Sequence, residues 1–204
     1  MEDNKIQKLV EVLNKKNFKA TYFEDAQAAK CAVFNEIAPG AAVGIGGSMT
    51  VFDMGLHKDL QEKGHEVFWH WLVDPAQRSE VRAKAANADV YLSSSNAITM
   101  NGELVNIDGI GNRVSAMFFG PKKVIIICGV NKIADDYDTA IQRIKTYACP
   151  PNAKRLNLNT PCAKTDKCTD CSSSDRMCNV TVKMERPPSG KEVHVFLVGE
   201  SLGF

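Results

Sequence analysis

Apolar residues recur along this chain with two periods, and the alternation between them sets out its elements. Ile6, Leu9, Val10 and Leu13 fall at helical spacing, so residues 4 to 16 are predicted to form an amphipathic helix. "FKATYFE" then predicts a short strand, and Asp25 an N-cap for a helix running to about Ile37. Pro39-Gly40 punctuates, after which "AAVGIGG" predicts a buried strand entering a glycine turn. A helix carrying Leu56 and Leu60 should end near Gly64, followed by a strand at "EVFWHWL". "PAQRSEVRAKAANAD" has proline where a first helical turn accepts it, and "VYLSS" is the next strand. Asn101-Gly102, between "AIT" and "ELVNID", predicts a two-residue hairpin turn. "NRVSAMFFG" is a short helix, "KVIIICG" a fully buried strand and "DDYDTAIQRIKTYAC" a helix. "VHVFLVG" near the end should close the sheet.

From residue 18 to 149 strands and helices largely alternate. That order predicts an α/β fold, a mostly parallel sheet with helices on both faces. Residues 1–204 form a single domain on this reading. Between 150 and 190 the periodicity vanishes, and Pro, Asn, Ser and Cys dominate an irregular insertion before the last strand. So long a run without regular structure calls for its own staple.

Composition changes the picture mainly by exclusion. A formal net charge of +1 gives no reason to expect nucleic acid or an anionic membrane as partner. The longest purely apolar run, Val124 to Cys128, is far too short to span a bilayer. The start is charged and helical in pattern without an apolar signal core, so the expected compartment is the cytoplasm, where thiols stay reduced. Seven cysteines, an odd number, also fit a disulfide framework poorly. A homo-oligomer stays open.

The loops leaving the strands carry the candidate chemistry, because open α/β sheets bind ligands at the carboxyl ends of their strands. "GIGGSMT" offers close backbone approach at Gly46 and Gly47 and a cap at Ser48 or Thr50. "SSSN" offers Ser94, Ser95 and Asn96. "DGIGNR" supplies Asp108, Gly109, Gly111, a cap in Asn112 and a guanidinium in Arg113. "GVNK" adds Asn131 and Lys132. Together they point to a polar pocket for a small anionic ligand, a phosphate, carboxylate or nucleotide. Arg113, Lys132 and the Ser48–Thr50 turn would hold the anion. Asp108 is the leading acid–base candidate, and Glu103, beside the hairpin turn, the lesser one. Residues 44 to 49 do not satisfy G-x-G-x-x-G, so no NAD fingerprint is present, and no Gly-Lys-Ser/Thr of a P-loop follows. His57, His65, His70 and His194 take structural or surface roles on this reading. The tryptophans flanking His70 share one strand face and are assigned to the core.

"TPCAKTDKCTDCSSSDRMCN" gathers Cys162, Cys168, Cys171 and Cys178 at C-x5-C-x2-C-x6-C spacing, with Cys149 as a candidate fifth thiol. The CxxC knuckle suits a metal. Zinc as a closed staple, an iron–sulfur cluster of non-ferredoxin spacing, and unligated thiols all remain open. Cys31 and Cys128 are assigned to the core.

With these residues laid out, the sequence resembles the LUD-domain, or lactate-utilisation, family. The likeness is carried by "GIGGSMT", by "ADVYLSSSNAITMNGELVNIDGIGNRVSAMFFGPKKVIIICGVNKI", by "TPCAKTDKCTDC" and by "VFLVGESLGF". It implies a fold similar to the ribose-5-phosphate isomerase, glucosamine-phosphate deaminase and CoA-transferase group. Small phosphorylated or CoA-linked ligands sit at the sheet's carboxyl edge in that group. Isomerase-like or transferase-like chemistry follows from that resemblance, while an iron–sulfur redox-partner role for the Cys162–Cys178 segment in lactate-type oxidation and non-catalytic metabolite sensing by the same pocket stand as alternatives. The cysteine segment sets this chain with a free-standing subgroup, apart from the subunit of the lactate-oxidising complex.

Overall fold

In the computed structural model, which describes residues 2–204, helices and strands alternate through α1 (Glu2–Lys15), β1 (Lys19–Phe23), α2 (Ala26–Asn35), β2 (Val43–Ile45), α3 (Met49–Asp53), α4 (Leu56–Glu62), β3 (Val67–Phe68), α5 (Arg78–Ala85) and β4 (Val90–Ser93). The chain continues through β5 (Ala97–Thr99), β6 (Leu104–Asp108), α6 (Asn112–Phe118), β7 (Lys123–Gly129), β8 (Ile133–Ala134), α7 (Tyr137–Arg143), α8 (Cys149–Arg155), α9 (Pro161–Thr165), β9 (Val180–Met184) and β10 (Glu192–Val198). Six strands form one sheet in the order β1-β10-β7-β4-β2-β3, and every neighbouring pair is parallel. The expected α/β architecture is therefore present.

The sheet's centre shows why "KVIIICG" carries no polar alternation. Val124, Ile126 and Cys128 face the cluster under α1 and α6, whereas Ile125 and Ile127 face the one under α2 and α4. All five are fully buried, and each such aliphatic chain removed from water contributes roughly 1.5–3 kcal/mol. Leu9 and Leu13 of α1 seal the first cluster, and Leu56 and Leu60 of α4 the second. Asp25 caps α2 as its sequence position suggests, accepting from Ala28 N at 2.7 Å.

Tertiary packing alters several expectations. The last strand does not close the sheet: β10 lies between β1 and β7, because its residues are apolar on both faces and belong inside. The hairpin β5–β6 leaves the main sheet and builds a second one, ordered β8-β5-β6-β9. Its turn holds three residues, with Thr99 N reaching Glu103 O at 3.0 Å and Gly102 at φ +71°. The strand foreseen at "EVFWHWL" stops at Phe68, where Trp69 turns into the core and stacks on Trp71 at 4.7 Å. Residues 150–190 are not wholly irregular, since they include most of α8, all of α9, and β9, which pairs antiparallel with β6. Cys31 is exposed on α2 and no core residue, while Cys128 is buried as expected.

At the amino edge of the main sheet, Glu36, Glu192 and His194 converge within metal-ligating range. Lys19 and Lys123 already match those carboxylates, at 3.0 Å to Glu192 and 2.9 Å to Glu36, so the group is an ion-pair network. Among the described residues no helix is long and apolar enough to cross a membrane.

Hydrogen bonding to His194 and then to Lys19 holds Glu192 down at about 2. A depressed carboxylate stabilises the fold above its unfolded value of 4.5, and that contribution fades as pH falls towards 2. After discounting for solvent screening, Glu192→Gln should cost about 1 kcal/mol at pH 7. The difference from wild type should shrink as pH drops from 4.5 towards 2, measured by urea denaturation across pH.

Candidate anion-binding site

Parallel strands deliver their exits to one edge, and here β2, β3, β4 and β7 open onto the same cavity. It measures about 420 Å³, and Gly47, Ser48, Ser94, Ser95, Asn96, Gly109, Asn112, Arg113 and Lys132 all line it. Gly47 and Arg113, 66 positions apart by subtraction of their numbers, meet in one cleft. The loops singled out in the sequence do converge.

Arg113 organises the floor. Its Nη1 donates to Ser94 O at 3.0 Å and Asn106 Oδ1 at 2.7 Å, and its Nη2 to Asn96 Oδ1 and Ile107 O, both at 3.0 Å. The four terminal N–H donors are thereby used on neutral oxygens, so the guanidinium supplies charge to the cavity more than contact. Gly46 sits beneath it: a Cβ there would come within 2.7 Å of Tyr91 Oη and 2.9 Å of Arg113 Cγ. The cap of α6 is not Asn112. Gly111, at φ +90°, occupies the cap position, and the Asp108 carboxylate accepts from Arg113 N at 3.1 Å and Val114 N at 3.2 Å. Its other oxygen accepts from Gly109 N at 2.9 Å. Asp108 lines the cavity, but its lone pairs already organise this turn, a helix-capping role before an acid–base one.

Lys132 is 3% exposed, and its Nζ donates to Thr50 Oγ1 and Ser94 Oγ, each at 2.8 Å. Burial, against the nearby Cys128, pushes the ammonium down to about 8. Among the described residues neither Lys132 nor Arg113 has a carboxylate partner, and a buried cation without one is costly.

Four proposed ligand residues lie behind the wall. Gly46 and Gly111 shape turns, Thr50 anchors Lys132, and Asn131 accepts from Leu202 N at 3.1 Å to hold the carboxy-terminal tail. Glu103 is not at the site. It stands at the hairpin turn, where Thr99 Oγ1 donates to it at 3.0 Å and Lys183 pairs with it at 3.3 Å, so a catalytic role has no geometry behind it. Ser48 does cap α3, accepting from Val51 N at 3.3 Å.

Several lining residues escaped sequence reasoning. Trp71, assigned to the core, faces the cavity with the Arg155 guanidinium 4.4 Å from its ring centroid, while Trp69 alone is core. His70, assigned no site role, lines the cavity too, and burial together with Arg82 and Arg78 pushes it down to about 4, leaving it neutral at pH 7. Arg82 on α5, Arg155 on α8 and Arg176 in the irregular stretch between α9 and β9 also line the cavity. Isolated arginines far apart in the chain carry no sequence signal of convergence. Five cationic side chains (Arg82, Arg113, Lys132, Arg155, Arg176) face two carboxylates, Asp108 and Asp175. Ile107, Ile110, Leu156, Leu158, Met177 and Phe204 give the same cavity an apolar part.

Beyond Arg176 and Met177 lies a second, smaller void, lined by Cys162, Cys168, Cys171 and Cys178. The predicted thiols are thus brought together. Cys149 joins the main cavity's wall, and the facing Cys149 thiol, hydrogen-bonded to Cys178, draws Cys178 down to about 6 and is itself pushed up.

A six-stranded parallel sheet flanked by helices, with a cationic cleft at its carboxyl edge, defines an α/β protein. The chain belongs to the LUD-domain family, whose pattern matches residues 6–198. The fold is similar to that of the crystal structure of a DUF162 family protein from Deinococcus radiodurans, with a TM-score of 0.58 at 10% identity over 98% of this chain and 99% of that one. No curated protein sequence matches the chain closely enough to lend it an activity.

Arg113→Met should strand four acceptors and destabilise the protein by about 3 kcal/mol or more. Denaturant unfolding checks this, and a loss below about 1 kcal/mol would mean the guanidinium is no brace.

Proposed function

We propose that this protein binds a small anionic metabolite at the carboxyl edge of its sheet, one that joins a phosphate or carboxylate group to a flat or apolar body. The observation that carries the reading is the pair of buried cations, Lys132 and Arg113, at the floor of the cavity without a carboxylate partner among the described residues. An anionic ligand would provide the missing counter-charge, in a site already shielded from water. Arg82, Arg155 and Arg176 add charge along the walls, and a guanidinium can take phosphate or carboxylate with two parallel donors. Trp71 and the apolar residues opposite suit the remainder of such a ligand, a nucleobase or acyl chain in preference to a bare sugar. The volume of about 420 Å³ lies within the range of metabolite pockets, roughly 300–1,000 Å³.

Lys132 ties binding to pH. An ammonium held at about 8 is charged at pH 7 and mostly neutral at pH 9, so anion affinity should fall across that interval. Sulfate, whose own charge stays constant there, is the clean probe. Isothermal titration should find sulfate binding weaker at pH 9 than at pH 7, and about tenfold weaker in Lys132→Met at pH 7 with the pH slope gone. A thermal-shift panel of nucleotides, CoA esters, sugar phosphates and carboxylates then selects the class. Arg155→Ala should weaken the best ligand about tenfold while unfolding like wild type. If neither sulfate nor any member of the panel binds, the anion reading fails.

A further inference from the structure

The wall of the cavity carries a cation with nothing to bind. Arg82 lines the cavity from α5, and among the described residues its side chain makes no hydrogen bond or ion pair, although its Nε is buried. A buried charged donor left unpaired is costly, which calls for an acceptor from outside the chain. Packing fixes Arg82 in place. α5 lies directly on β2 because Gly44 has no side chain: a Cβ there would collide with the Ala85 backbone. Arg82 precedes Ala85 by three residues, so the two stand on one helix face. Neither carboxylate at the cavity pairs with it. Asp108 accepts from the backbone N–H groups of Gly109, Arg113 and Val114, and Asp175 accepts from Asn159 N at 2.9 Å. Arg155 is held with its guanidinium 4.4 Å from the Trp71 ring centroid. Its Nε and Nη2 donate to Asn152 Oδ1 at 3.1 and 2.8 Å, leaving Nη1 without a partner among the described residues.

These two guanidinium groups form a centre of positive charge distinct from the one at the floor. After burial, the charges that act most on His70 are Arg82 and Arg78, then Asp108 and Arg155. After burial, those that act most on Lys132 are Cys128, Arg143 and Arg113. The two sets share no member. Gly47 lies beside the wall centre, where a Cβ would stand 3.7 Å from His70 Cε1 and 3.5 Å from Trp71 Cζ2. A single anion at Lys132 would leave that centre unmatched. Resting on the anion reading of this same cavity, we infer that its ligand is a bis-anion, with one anionic group held at Lys132 and the other by Arg82 and Arg155. A phosphorylated carboxylic acid is the class that suits both ends. An ammonium takes either group as a point charge, and guanidinium forks take carboxylate or phosphate with parallel donors. The flat or apolar body of the ligand then spans the cavity between them. With both anionic groups in one molecule the second contact is intramolecular, so its affinity exceeds that of either half.

Isothermal titration with phosphonocarboxylates of increasing chain length, from phosphonoacetate upwards, tests the inference against methylphosphonate, which has a single anionic group. At pH 7 the best of the series should bind at least about tenfold tighter than methylphosphonate. Arg82→Met should cut that advantage to below about threefold, with a smaller loss for methylphosphonate itself. Arg82→Lys, which keeps the charge but not the fork, should recover only part of it. Neither variant should lower stability in denaturant, as loss of a structural brace would, because the unpaired Nε is removed. A series in which no member outbinds methylphosphonate overturns the bis-anion inference, and so does an advantage that survives Arg82→Met. If sulfate or methylphosphonate still binds in those cases, the anion reading stands and this inference alone falls. Absence of binding by sulfate and by every phosphonate overturns both.

Discussion

The buried guanidinium of Arg113 is the contact on which the two sheets and the cavity both depend. It reaches from α6 to Ser94 at the exit of β4 in the main sheet, and to Asn106 and Ile107 on β6 in the second. Asn96, on the loop joining the sheets, completes the set and in turn accepts from Arg113 and from Ile107 N. Lost hydrogen bonds at such a node leave several buried acceptors unpaired at once, which is far costlier than the loss of one contact on the surface. Arg143 reinforces the same loop from α7, donating to Asn96 O at 2.8 Å and Asn131 O at 2.7 Å. These two arginines brace the cavity floor, and of the two Arg113 lines the cavity itself.

That arrangement explains a division of labour within the cavity. Polar residues nearest the strand ends are largely occupied with one another: Asp108 caps α6, Thr50 and Ser94 hold Lys132, and Asn106 and Asn96 hold Arg113. Side chains brought in from the periphery, Arg82, Arg155 and Trp71, stand at the walls where a ligand would make contact. Under the proposed function, the inner set would generate field and the outer set would offer recognition. Preorganised charge of this kind acts on a ligand with little reorganisation.

Much of the fold was legible because burial leaves a trace in the pattern. β7 reads as a continuous apolar run since both its faces are covered, and α1 reads as helical since only one stripe is. The candidate loops were legible for a related reason: parallel strands force their exits to one edge, so polar, glycine-rich exits accumulate there. Roles within the loops were less so. Asp108 as a cap, Thr50 as the anchor of a lysine 82 positions away, and Asn131 as the clamp on Leu202 are matters of direction and distance. Spacing in sequence does not encode either.

The cysteine segment divides along the same line. Four thiols in a polar run marked a candidate site, and the sequence alone could determine the parallel sheet, its buried centre and the edge at which its loops meet. Which thiols enclose a common void, that β10 lies inside the sheet, that the hairpin founds a second sheet, and that three arginines from distant parts of the chain turn towards one cleft were decided only by tertiary structure. The physical reason is locality. Hydrophobic period and turn chemistry are properties of neighbouring residues, whereas convergence is set by how covered faces stack, and no short window of sequence contains both partners.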